Sequence, residues 1–252
     1  MAAQNNVVKS TDHSQRKERP VNQQLPKPNF AEPATQVTFL IGPDNDIMKF
    51  IVHKEFACYH SSVVRAAFSS NFVDGQTQTY RIEDTSAGAF RLLVQWLYTQ
   101  RLKIVQWSDS GVFDGLAEEA EEDKACNGGD AHLLEKDMNL VRLWVLADRL
   151  GIPKLQNDVM AVIINIGKNA YQPQWETFRY IYESTAEGSP LRALATRQCV
   201  IDVLPHTLVK NPSAFPHQLP LDTAVHCAQY MRHQFEDKSI EAKDFFVDTS
   251  SV

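Results

Sequence analysis

Cysteine is scarce in this chain: Cys58, Cys126, Cys199 and Cys227 lie far apart, and no two form a CxxC pair. That spacing excludes the Cys-dense disulfide frameworks of small secreted domains and argues for free thiols in a reducing compartment. Long apolar runs are missing too, and none approaches the roughly 20 residues needed to span a bilayer. The first residues are polar, unlike the apolar stretch of a signal peptide. The acceptor pattern for N-glycosylation is spoiled, because Asn211-Pro212-Ser213 carries the forbidden proline. Concentrated basic charge is absent: Lys and Arg total 25 against 31 Asp and Glu, a net charge of −6. This argues against generic binding along a phosphate backbone, and no direct nucleic-acid contact is expected. There is no GxSxG elbow, no HExxH pair and no phosphate-cradling glycine loop. The expectation is a soluble intracellular protein, cytoplasmic or nuclear, that is not an enzyme and holds no cofactor or metal.

What the chain does have is an ordinary apolar share of 43%, concentrated in its middle. Residues 1–35 hold several prolines and few large apolar side chains, so ordering them costs more entropy than burial returns, and a disordered tail is predicted. Val37-Thr38-Phe39-Leu40-Ile41 is β-branched and aromatic, and Gly42-Pro43-Asp44-Asn45 supplies turn residues. With Phe50-Ile51-Val52 as a second strand, the pair reads as a hairpin with a long loop. Helix follows at once, with Ser61 or Ser62 as N-cap for a helix carrying Val64, Ala67 and Phe68 on one face. Thr79–Ile82 reads as a short third strand. Thr85 or Ser86 caps a clear helix in which Phe90, Leu93, Val94 and Leu97 recur at helical spacing. Leu102-Lys103-Ile104 is a candidate fourth strand.

Residues 108–131 break the pattern. Asp109, Asp114, Glu118, Glu119, Glu121, Glu122, Asp123 and Asp130 sit among four glycines, with Lys124 the lone basic residue. An inserted surface loop is predicted there. Order resumes with a helix capped at Asp137 or Asn139 and striped by Leu140, Leu143, Trp144, Ala147 and Leu150. Gly151 is placed to end it and Pro153 to begin the next. Further helices are expected at Trp175–Tyr182, Leu191–Leu204 and Thr223–Phe235, before a polar tail over 238–252. Strands early and helices late make an α+β pattern.

Several of these segments, in this order, resemble a BTB/POZ domain. Val37–Gly42, then Phe50-Ile51-Val52-His53-Lys54, then Ser61 leading to Phe68 and Phe72 resemble its opening. Phe90 with Trp96-Leu97-Tyr98-Thr99, and Val145–Ile152 with Leu155-Gln156, resemble its second half. The tryptophan form of the leucine-tyrosine-threonine motif is similar to BTB proteins of filamentous fungi. The resemblance covers residues 36–168 and leaves 169–237 as an all-helical extension. It implies a small sheet covered by helical hairpins, a dimer surface at the first helix, and work by homo- or hetero-oligomerisation with protein partners. Val37, Phe39 and Phe56 are then candidate dimer-interface residues. Some members recruit cullin-type ubiquitin-ligase scaffolds, through a hydrophobic-x-glutamate triplet, and others join transcription regulators. Leu133-Leu134-Glu135 fits that triplet, as does Leu116-Ala117-Glu118, so Leu133 and Glu135 are candidate cullin contacts for a ligase adapter. Gln36 departs from the acidic residue common before the first strand, which puts the family's charged interface pocket in doubt.

The remaining chemistry-bearing residues read as structural. His53-Lys54 joins strand to helix, which favours a structural histidine over a ligand. Cys58 with His60, and His226 with Cys227 and His233, lack the tight paired spacing of a zinc site. The Trp175, Phe178 and Tyr182 face is expected to pack against a neighbouring helix.

Overall fold

Val37, Phe39 and Ile41 point inward while Gln36, Thr38 and Leu40 point out, the alternation that makes Gln36–Ile41 a strand, β1. The computed structural model describes residues 26–103, 129–168 and 175–234. Strand β2, Met48–His53, pairs antiparallel with β1, Gln36 facing His53 and Ile41 facing Met48. Strand β3, Thr79–Ile82, pairs parallel with β1 on the other side, giving the order β2-β1-β3. A parallel neighbour needs a crossover, supplied here by α1 (Lys54–His60), α2 (Ser62–Phe68) and α3 (Val73–Thr77).

Ser61 separates α1 from α2 and is almost wholly buried. Its hydroxyl accepts from the Val64 amide at 3.0 Å and donates to the Leu150 carbonyl at 2.6 Å, so one side chain caps a helix and ties it to a distant one. Helix α4, Ala87–Thr99, is capped by Ser86, which accepts from the Ala89 amide and donates to Asn139. Its buried face is Ala89, Phe90, Leu93, Trp96 and Leu97. Phe90 meets Phe39 at 5.0 Å and Phe50 at 4.8 Å between ring centres, and the Trp96 indole donates to Asp158 at 2.8 Å. Gly88 lies close against Asn139: a Cβ there would sit 2.4 Å from the Asn139 side-chain amide nitrogen, so that side chain would have to shift.

Helix α5, Gly129–Arg149, and α6, Pro153–Lys168, form a hairpin through Gly151, whose φ of +64° is the left-handed turn that favours glycine. The Ile152 amide donates to the Ala147 carbonyl and Gly151 to Asp148, the two bonds of a Schellman ending. Beyond lie α7 (Trp175–Ser184), α8 (Pro190–Asp202), α9 (Pro205–Lys210), a 3-10 turn at Pro212–Ala214, and α10 (Gln218–Gln234). Phe178, Ile181, Leu191, Cys199 and Leu219 join the same buried cluster that begins at Val37. The fold is α+β, a small mixed sheet with helices and then a helical C-terminal region.

Four expectations need correction. Residues 102 and 103 form no strand; the Lys103 amide instead donates to the Gln95 side chain. Helix α5 starts at Gly129, inside the expected loop and well before Asp137, and Asn139 bonds Ser86 instead of capping α5. The rest of the acidic segment lies outside the described residues. Residues 26–35, assigned to the tail, are placed: the Asn29 amide donates to Glu55, and Phe30 packs on a ring cluster. Helix α10 begins five residues earlier than Thr223, since Pro220 falls in its first turn where no amide is required. The short helices α3 and α9 were not anticipated.

Candidate interaction surface

The outer side of the hairpin is fixed by strand alternation. Phe50 and Val52 turn toward α4, so Lys49 and Ile51 project from the opposite face of β2, and His53 takes the same register position at the strand end, where its ring reaches Tyr98 of α4. Across the ladder they meet Leu40, Thr38 and Gln36. Ile51 is 56% exposed, unusual for an isoleucine in a strand.

At the end of this face is a ring cluster. Phe30 stands edge-on to His53, 5.2 Å away, and lies 4.8 Å from Phe56. Tyr98, from the C-terminal turn of α4, completes it at 4.7 Å from Phe56. The Tyr98 hydroxyl accepts from the His53 amide at 3.0 Å and sits 2.8 Å from His53 Nδ1. His53 therefore fastens the strand–helix junction to α4. Phe30 covers Phe56 yet remains 50% exposed, in a left-handed backbone conformation with φ +58°.

The candidate interface residues Val37, Phe39 and Phe56 are all buried. Val37 and Phe39 are 1% and 2% exposed, turned into the chain's own core by the pleat of β1. Phe56 is 8% exposed because Phe30 shields it. None of the three offers a side chain to a partner in this conformation. Phe30 and Ile51 do, and period-two reading of β2 signals Ile51 once Val52 is assigned inward. Phe72 and Val73, at the turn into α3, are also open to solvent, and no periodicity marks so short a helix. Leu133 and Glu135 lie within α5 rather than ahead of it; Glu135 is exposed, and the Leu133 side chain is outside the described residues. The alternative triplet at Leu116–Glu118 is outside them as well.

Chemistry of the reactive groups is muted by burial. Desolvation pushes the Cys58 and Cys199 thiols up, away from the nucleophilic thiolate. His60 is held below the usual histidine range, first by burial and then by the nearby Lys154 ammonium. Its Nε2 lies 3.1 Å from the Gln100 amide nitrogen, while Gln100 Oε1 accepts from Lys154. Among the described residues no three His, Cys, Asp or Glu side chains gather as a metal set. Nor is any described helix long and apolar enough to cross a membrane.

A hairpin, a helical crossover to a parallel third strand, and a capped helix closing the sheet are joined by one further finding: residues 32–117 match the BTB/POZ domain family. Over that stretch the chain has the BTB/POZ fold. That match takes in all three strands, helices α1–α4 and the segment from Glu32 up to β1, and it begins two residues after Phe30. The BTB/POZ domain is a non-catalytic fold for protein–protein interaction. The Val145–Ile152 and Leu155-Gln156 segments lie beyond the matched stretch, on α5 and α6. No curated protein matches the chain.

Proposed function

We propose that the chain is a self-associating interaction protein whose BTB/POZ domain pairs through the outer face of β1 and β2 and the adjoining Phe30 corner. The observation that carries this reading is the exposure of Ile51 beside a ring cluster. Ile51 and His53 share one face of β2, and Phe30 extends that face outward, so an apolar and aromatic strip lies open to a second copy. Exposed strips of this kind supply the central anchors of interfaces, where aromatic residues dominate. A two-fold dimer would place the same strip on both partners. The groups around it are non-catalytic in character: His53 is engaged by Tyr98, and Gln36 and Thr38 are neutral.

Sedimentation velocity at micromolar concentration tests the proposal. The expected result is a dimer or larger species that Ile51→Asp shifts toward monomer, with circular dichroism unchanged. Ile51 is exposed, so the substitution should alter folding stability by no more than about 0.5 kcal/mol. A monomer at every concentration, or an assembly indifferent to Ile51→Asp, would overturn it.

A further inference from the structure

Helices α6, α7, α8 and α10 enclose a groove of about 1570 Å³. That exceeds the roughly 300–1,000 Å³ of a small-molecule pocket and suits a length of polypeptide. Its apolar wall includes Ile164, Phe215 and Val225, of which Ile164 and Val225 are exposed. Arg197, His217 and His226 stand exposed along it. The carboxylates of the groove are Glu183, Glu187 and Asp222, and Asp222 is already engaged by Tyr182 and Gln218. Arg179, Arg192 and Arg197 balance them, so in a chain of net charge −6 this is ground on which an acidic segment meets no net repulsion.

Helix α10 forms one side of the groove and leads directly into residues 235–252. Within them stands Asp244-Phe245-Phe246-Val247-Asp248, adjacent large apolar side chains flanked by carboxylates. Such a triplet is unfavourable in water and complements an apolar wall with cationic neighbours. The reach is sufficient. Gln229, the last groove residue on α10, precedes the helix end by about 7.5 Å of axis, and residues 235–243 can extend about 30 Å.

We propose that residues 244–248 dock into this groove of their own chain, with Phe245 and Phe246 against the apolar wall and the flanking aspartates toward Arg197 and His226. This does not rest on self-association through the sheet, and it uses a different face. Docking makes the helical region a host for an acidic, aromatic peptide, held in cis unless a stronger competitor of the same chemistry displaces it.

Amide hydrogen exchange on the full chain tests it. Residues 244–248 should exchange at least about tenfold more slowly than residues of an unstructured peptide. Arg197→Glu should reduce that protection severalfold. Phe245→Asp with Phe246→Asp should abolish it and speed exchange in the groove segments 193–197 and 225–229, while β1 and α4 stay unchanged. Unprotected 244–248 in the wild-type chain overturns the proposal. So does protection that leaves the groove segments indifferent to the double substitution, which would seat the segment elsewhere. Protection that falls on dilution would assign the groove to a second copy, and would likewise overturn docking in cis.

Discussion

Helices α4 and α10 are both amphipathic, yet they hide very different shares of their apolar surface. In α4, Ala89, Phe90, Leu93, Trp96 and Leu97 are all buried. Among the described side chains of α10 only Leu219 is, while Leu221, Val225, Tyr230 and Met231 stay exposed. The difference lies in neighbours. Helix α4 is enclosed by the sheet, α1 and α5, whereas α10 meets α8 and touches the edge of α7. Helix α8 continues the trend, with Ile201 exposed near its end and Leu204 open just beyond it. The contrast is one of enclosure: α4 lies inside a closed core, whereas α10 leaves most of its described large apolar side chains in water.

The sharpest way to break that comparison is Trp96→Ala in α4. Removing a fully buried indole and its bond to Asp158 should cost about 3–5 kcal/mol. An unchanged urea midpoint would show that the α4 core is not closed. Ser61→Ala comes next, at about 1–3 kcal/mol, because the Val64 amide and the Leu150 carbonyl lose their partner together. Equilibrium denaturation should show this loss, and Ser61→Thr should restore part of it.

His60 sharpens the comparison through pH. Its folded pKa lies below the unfolded value of about 6.5, so the unfolded chain binds the proton first as pH falls. Stability from this group is full above that value, declines as pH drops toward the folded pKa, and levels off below it. Lys154, Gln100 and the Trp96 ring surround the imidazole, and none is acidic enough to offset its charge. His60→Gln should flatten the decline in thermal melts recorded between neutral and mildly acidic pH; an identical slope in the variant would assign acid sensitivity elsewhere. The smallest effect belongs to α10. Leu221→Ser should shift stability by no more than about 0.5 kcal/mol, since half of that side chain already meets water. A loss comparable to Trp96→Ala would mean that the exposed face of α10 is covered.

Periodicity made the sheet and the long helices legible. Val37, Phe39 and Ile41 alternate, and Leu140, Leu143, Trp144, Ala147 and Leu150 repeat at helical spacing, so both core faces were readable from sequence. Ser61, Ser86, Gly151 and Pro153 marked helix ends through chemistry that acts locally. What could not be read depended on contacts distant in sequence. Asn139 looks like a cap until Ser86, from another helix, claims its oxygen. Phe30 looks like part of a tail until His53, Phe56 and Tyr98 assemble beneath it. Gln78 and Gln100 adopt left-handed backbone without being glycine, held by side-chain bonds to Phe68, Gly75 and Trp96 carbonyls that no propensity encodes. The burial of the candidate interface residues has a related reason: a resemblance names the surface elements, but the pleat and the cover of Phe30 turn Val37, Phe39 and Phe56 into the chain's own core.

The parallel pairing of β1 with β3 also imposes an order of assembly. The β1–β2 hairpin closes over a short loop and is an event of roughly 1–10 μs in isolated hairpins. Strand β3 has no such shortcut: residues 42–78, with all three crossover helices, must first be drawn back across the sheet. The closure entropy of that excursion falls due before any β1–β3 bond forms. During synthesis on a ribosome, that edge of β1 therefore has no strand to pair with until the chain emerges as far as Ile82.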